Sequence, residues 1–236
     1  MKMADMESCP SWSKEHDWKS CKSQNGFEGS NPLLSAKGCK AAESSHDTVA
    51  LCFKLGDDYL GKLFQAYIKS YHPEILEGTA YIECISDLFF TPEVQSLKEF
   101  EQHLEINRLQ HITSVSYISF RMCRRLGLDW RTAARGGILH DLFYYDWREN
   151  DWSHRPHGYL HPGFALKNAR DLCGPLDKKT ENIIIMHMWP LTPIPPRYPE
   201  AIIVSMADKY CATKELYISL SKRYRTRFYK SIELGK

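Results

Sequence analysis

No stretch of this chain reaches the roughly 18 consecutive apolar residues that a membrane-spanning helix requires. Its start, Met1-Lys2-Met3-Ala4-Asp5, lacks the apolar segment of a secretory leader. The reading is a cytoplasmic protein with no membrane partner. Charge of one sign is also missing: 31 Lys and Arg stand against 29 Asp and Glu, a formal net charge of +2. A balance so close to neutral creates no global field toward nucleic acid or lipid, so composition names no partner. The eight cysteines contain no C-x-x-C pair, which excludes a zinc knuckle or a redox dithiol. In a reducing compartment they are expected as free thiols packing as small hydrophobes. Strand alternation of useful length is absent too, so the fold class is all-α.

What is present suggests one core with an appendage, since a single core commonly fills roughly 100 to 200 of a chain's residues. Residues 1–47 are rich in Ser, Lys and Gly without a sustained period and read as a poorly specified N-terminal extension. A helical segment occupies 48–97, with a helical pattern from Val49 to Tyr71. A helical domain spans 98–220, and a basic tail closes the chain at 221–236. Within the domain, Ile112, Val115, Ile118, Met122 and Leu126 recur at helical spacing and stop at Gly127. Asp129 is placed to cap a second helix that carries Ala133, Ala134, Gly136 and Gly137, small residues that let helices approach closely. Residues 143–160 form a lid-like loop with Tyr144, Tyr145, Trp147, Arg148, Trp152, His154, Arg155, His157 and Tyr159. Pro162 opens the next helix, which Gly174 ends, and another follows from Asp177. After the proline-broken stretch 190–199, one further helix runs from Glu200 to about Ser221.

Histidine distribution carries the functional signal. Seven of the ten histidines fall between positions 103 and 187. Asp208 sits in the apolar run Ile202-Ile203-Val204-Ser205-Met206-Ala207, where helical spacing turns it inward. A buried carboxylate is costly without a cation or a metal. His187 ends Ile183-Ile184-Ile185-Met186 and poses the same question. A histidine on an apolar helix is more often a hydrogen-bonded core residue than a ligand, and a His-Asp dipeptide alone means little. His16-Asp17 and His46-Asp47 are taken as chance, whereas His140-Asp141 closes a strong helix.

In their order these residues resemble the HD superfamily of metal-dependent phosphohydrolases, whose ligands run His, His-Asp, His, His, Asp on separate helices of one bundle. The matching residues are His111 in R-L-Q-H-I-T, His140-Asp141 in G-I-L-H-D-L, His161 in G-Y-L-H-P-G, His187 in I-I-I-M-H-M and Asp208 in S-M-A-D-K-Y. The lysine often found soon after the His-Asp pair is absent from L-F-Y-Y-D-W. The resemblance implies a helical bundle with a metal site in its core. Nitrogen and carboxylate ligands suit Fe, Mn, Co, Ni or Zn, with Mg as the hard-cation alternative. The expected count is two ions: His111, His140, Asp141 and Asp208 as the core set, His161 and His187 beside it, and Asp141 shared and catalytic. Paired ions activate water and neutralise charge on a transferring phosphoryl group.

Around this set, Arg108 is expected to meet a substrate phosphate, Lys209 to stabilise developing charge, and His157, with His154 and Arg155, to contact substrate or donate a proton. His157 is also the rival of His161 as a ligand. The expected activity is hydrolysis of a phosphomonoester or phosphoanhydride on a phosphorylated small molecule, a nucleotide among them. An HD-type di-iron oxygenase, a non-catalytic nucleotide sensor and a purely structural metal clamp are the alternatives. The tail Lys222-Arg223-Tyr224-Arg225 to Lys230 interleaves charge with aromatics, a pattern that serves either nucleic acid or the wet face of a helix.

Overall fold

The computed structural model describes residues 57–76, 79–103 and 106–234. The N-terminal extension, both of its His-Asp dipeptides and the start of the helical pattern at Val49 lie outside the described residues. In chain order the elements are α1 (Asp57–Lys69), α2 (Pro73–Leu76), α3 (Ala80–Phe89), α4 (Pro92–Gln95), β1 (Glu101–His103), β2 (Ile106–Asn107), α5 (Arg108–Leu126), α6 (Trp130–Leu139), α7 (His157–Cys173), α8 (Lys178–Met186), α9 (Pro199–Leu220) and α10 (Lys222–Leu234). The class is all-α. The one addition to it among the described residues is a two-stranded antiparallel ribbon, in which Glu101 pairs with Asn107 and His103 with Ile106.

Helix α5 is the central element. Asn107 caps it by accepting from the Gln110 amide at 2.9 Å, satisfying one of the free N–H groups of the first turn. Ile112, Val115 and Ile118 are fully buried along it and Met122 nearly so. Each such side chain contributes about 1.5 to 3 kcal/mol relative to exposure. The helix ends at Gly127, whose φ of 69° is left-handed, and the Leu128 amide reaches back to Cys123 O at 2.9 Å. Asp129 then caps α6 by accepting from the Thr132 amide at 3.1 Å.

Helices α5 and α6 touch at backbone distance. A Cβ on Gly137 would stand 2.6 Å from Ser116 Cα, and one on Gly136 would stand 2.8 Å from Ile183 Cγ2 of α8. The small residues of α6 thus seat it between α5 and α8. Ser116 seals the first contact by donating to Ala134 O at 2.7 Å.

Helix α7 begins five residues earlier than Pro162 indicates. It starts at His157 after Pro156, with Pro162 inside the helix. The hydrogen bond that Pro162 cannot donate would have reached Gly158 in the first turn, so one extra turn forms ahead of it. Gly174 ends the helix with φ 74°. At the other end of the chain, the basic tail forms α10, which leans on α1. Phe228 is buried with its ring 5.7 Å from Tyr67 and 5.2 Å from Tyr71. Lys222, Arg223, Arg227 and Lys230 are exposed.

Candidate metal centre

Four imidazoles are oriented by the same device. His140 and His187 are the C-caps of α6 and α8, where the last carbonyls of a helix lack partners. The Nδ1–H of His140 donates to Gly137 O at 2.8 Å, and that of His187 donates to Ile184 O at 2.7 Å. His161, one turn into α7, donates from Nδ1 to His157 O at 2.8 Å. His111, near the start of α5, donates from Nδ1 to the Glu215 carboxylate at 2.9 and 3.0 Å. A carbonyl can only accept, so in the neutral rings of His140, His161 and His187 the lone pair resides on Nε2. Hydrogen bonding of the far ring nitrogen is also how metal-binding histidines are held in tautomer and orientation.

The Nε2 atoms converge on two carboxylates. His111 Nε2 is 3.2 Å from Asp208 Oδ1 and 4.0 Å from Asp141 Oδ2. His140 Nε2 is 3.7 Å from Asp141 Oδ2 and 4.0 Å from Asp208 Oδ1. His161 and His187 present Nε2 to Asp141 Oδ1 at 3.3 and 3.4 Å. Two sets of groups close enough to share an ion emerge: His111, His140 and Asp208, and His140, Asp141 and His187. His140 Nε2 and Asp141 Oδ1 are buried and accept no hydrogen bond. An unsatisfied buried polar atom costs about 1 to 3 kcal/mol, so two side by side ask for a cation. The nitrogen and oxygen donors, with no sulfur, fit a first-row divalent metal.

Electrostatics follow the same plan. Burial alone pushes the Asp141 carboxyl up, but His140, His161 and His187 around it outweigh burial and hold it well below the usual range. Asp208 is likewise held down against its burial, by the Lys209 ammonium and His111. Burial pushes His140 down to about 4, which keeps its imidazole neutral and its lone pair available at neutral pH. In His111 burial opposes protonation, yet Glu215 and Asp208 together lift it well above the ordinary value.

The residues expected around the ligand set fall into three groups. Lys209 lies at the centre, donating to Asp208 Oδ2 at 2.7 Å and to His187 O at 2.8 Å. His157 lies beside it, its ring stacked 4.4 Å from that of His161 and its Nδ1 3.1 Å from the Tyr145 hydroxyl. Burial, with His161 next to it, pushes His157 down to about 4, so at pH 7 it is a neutral hydrogen-bonding group and a poor proton donor.

Arg108 does something other than the substrate contact expected of it. It is fully buried, with Nε donating to Gln102 Oε1 at 3.0 Å, Nη1 to Phe143 O at 2.6 Å and Nη2 to Tyr145 O at 3.1 Å. Its guanidinium carbon lies 3.6 Å from the centre of the Phe143 ring. The cation therefore ties the loop after Asp141 to the start of α5. His154 too is buried, stacked 4.1 Å from Tyr145, and braces the loop from within.

Two residues of the centre escape a reading of the sequence. Gln102, on β1, donates to Asp141 Oδ2 at 2.9 Å and accepts from Arg108, which leaves Oδ1 facing His161 and His187. Glu215 is fully buried and holds His111. Its place seven residues after Asp208, two turns along one face of α9, is the signal that could have revealed it.

A cleft of about 220 Å³ reaches the centre, lined by Gln102, Asp141, His161, His187, Asp208 and Lys209 together with Trp147, His157, Met188 and Ala212. A larger one of about 710 Å³, lined by Trp147, Arg148, Trp152, Arg155, Pro156, His157 and Gly158, shares Trp147 and His157 with it. Arg148 is engaged by Asp146 and Glu101. Among the described residues no helix is long and apolar enough to cross a membrane.

No curated protein and no solved structure matches the chain. Residues 108–213, the span that opens at Arg108, holds all six candidate ligands and ends five residues past Asp208, match the family model of the HD domain.

Proposed function

We propose that this protein is a metal-dependent phosphohydrolase that cleaves a phosphomonoester or phosphoanhydride bond in a small molecule, a nucleotide among the candidates. The observation that carries the reading is the convergence of four buried imidazole Nε2 atoms on Asp141 and Asp208, each ring pinned from behind through Nδ1. The family is mostly composed of metal-dependent phosphohydrolases. His111, His140 and Asp208 would hold one ion, His161 and His187 a second, and Asp141 would be shared. When bound, such a pair acts as a Lewis acid that activates water and neutralises phosphoryl charge.

The chain's own groups divide the remaining work. Lys209 Nζ, anchored by Asp208 and the His187 carbonyl, keeps a fixed positive charge at the inner cleft, where phosphoryl oxygens gain charge as the bond to the leaving oxygen breaks. The inner cleft is of a size for a phosphoryl group, and the outer one takes the rest of the substrate between Trp147, Trp152 and Arg155. His157, pushed down to about 4 by its burial, is neutral at pH 7 and would contact the substrate as a hydrogen-bonding group.

The test is phosphate release from a panel of phosphomonoesters and nucleotides, run on protein stripped with chelator and reloaded with Mn, Co, Fe, Ni or Zn. Release that requires reloading supports the proposal. Full metal occupancy with no release from any member of the panel, and oxygen consumption in its place, would move the assignment to a di-iron oxygenase.

A further inference from the structure

The two halves of the centre are built differently. His161 and His187 donate from Nδ1 to neutral backbone carbonyls, His157 O and Ile184 O. His111 donates to a carboxylate, Glu215, that is fully buried and approaches the ring with both oxygens at 2.9 and 3.0 Å. A carboxylate behind an imidazole raises its basicity more than a carbonyl does, so Nε2 of His111 is the stronger donor. The histidines of the two halves also differ in their access to the cleft. The inner cleft is lined by Asp141, His161, His187 and Asp208, and neither His111 nor His140 belongs to that lining. Glu215 lies beyond residue 213, where the family match ends.

We propose that Glu215 is a positioning residue that makes the His111–His140–Asp208 position the tight, resident metal site and leaves the His161–His187 position, at the cleft, as a weaker and exchangeable one. The inference rests on the metal-centre reading above. The resident ion would be held by three groups with an anionic carboxylate added behind them, whereas the exchangeable one would share Asp141 and face the solvent-connected cleft. Glu215 touches no substrate; it acts through the orientation and donor strength of one ring. Removing its charge should therefore affect one position selectively.

Stepwise titration of stripped full-length protein with Co(II), followed by absorbance and by competition with a chelating dye, should resolve two affinity classes in the wild type. Glu215→Gln keeps an oxygen acceptor for Nδ1–H and removes the charge. It should weaken the tighter class by about 10- to 100-fold and leave the weaker class unchanged. Because the variant breaks the buried His111–Glu215 pair, the melting temperature of the metal-free protein should fall whatever the role of Glu215, and the deciding reading is the ratio between the two classes. A purely structural role for Glu215 would leave that ratio intact, and this outcome overturns the assignment. So does equal weakening of both classes.

If Glu215→Gln does not fold, the wild type still decides. Excess chelator should strip one equivalent at least about 10 times faster than the other, and a single phase for both overturns the asymmetry. A wild type that takes up no Co(II) overturns the metal reading itself and this inference with it. Wild-type uptake with an unaltered Glu215→Gln profile overturns only the role of Glu215.

Discussion

His161 Nε2 lies 2.8 Å from His187 Nε2, although the Nδ1 of each ring is committed to a backbone carbonyl. Two imidazole lone pairs facing each other at that distance repel unless a proton or a metal ion joins them. His161→Ala and His187→Ala should therefore each lower metal content toward one equivalent per chain while the fold is kept, as read by elemental analysis and circular dichroism. Phosphate release should fall further than metal content, because paired stabilisation of attacking and leaving oxygens needs both ions. Two equivalents retained in both variants would remove these residues from the ligand set.

His157 supplies the control for that assignment. Its ring stacks on His161 at 4.4 Å, but its backbone carbonyl, rather than its side chain, serves the centre by fixing His161. His157→Ala preserves that carbonyl, so both equivalents should remain, with any loss confined to turnover or substrate affinity. Loss of one equivalent here, with both kept in His161→Ala, would exchange the two residues.

Asp208 joins His111 on one oxygen, at 3.2 Å, to Lys209 on the other, at 2.7 Å. Asp208→Ala deletes an anionic ligand and strands the Lys209 ammonium beside the cleft, so metal and activity should disappear together. Metal content near wild type in this variant would sink the proposed ligand role. Wild-type protein, by contrast, should gain thermal stability on reloading, by about 2.7 kcal/mol when free metal stands at 100 times the dissociation constant.

The order of the ligands could be read in the sequence because it resembles that of the HD superfamily, and because His187 after Ile183-Ile184-Ile185 and Asp208 after Ile202-Ile203-Val204 each interrupt an apolar helical run. The capped helices that bear them were legible as well: Asp129, Gly127, Asp177 and Gly174 are local signals. What holds the ligands was not. Gln102 reaches Asp141 from a ribbon whose strands are too short to show alternation, and Arg108 turns into the protein only because Phe143 and Tyr145 offer carbonyls there. These are long-range matches between side chain and backbone, which no spacing along the chain encodes. Pro162 misled in the opposite sense, since a proline tolerated in an early turn looks in the sequence like a helix start.

Gly137 tests the close approach that brings His111 and His140 together. A Cβ there would lie 2.6 Å from Ser116 Cα, a backbone atom of α5 that cannot rotate away. Gly137→Ala should cost about 1 to 3 kcal/mol and weaken metal binding through the displaced C-cap of α6. Gly61→Ala, where nothing stands within 4 Å, should be neutral or slightly stabilising in the same urea titration. Equal stabilities for the two variants would mean that α5 and α6 are less tightly apposed.

Arg108 separates a structural cation from a substrate-binding one. Its three hydrogen bonds satisfy Gln102 Oε1, Phe143 O and Tyr145 O inside the protein, and burial pushes its guanidinium down only to about 10, so it stays charged at neutral pH. Arg108→Met fills much of the volume but leaves those three acceptors without their donor. Each orphaned acceptor costs about 1 to 3 kcal/mol, so a loss of about 3 kcal/mol or more is expected in a denaturant titration. Gln102 would also lose the partner that orients its amide toward Asp141, so metal affinity should drop along with stability. A substrate-contacting arginine would behave otherwise: stability and metal content would stay at wild-type values and only KM would rise. That pattern in Arg108→Met would return Arg108 to the phosphate-binding role that its position three residues before His111 suggests.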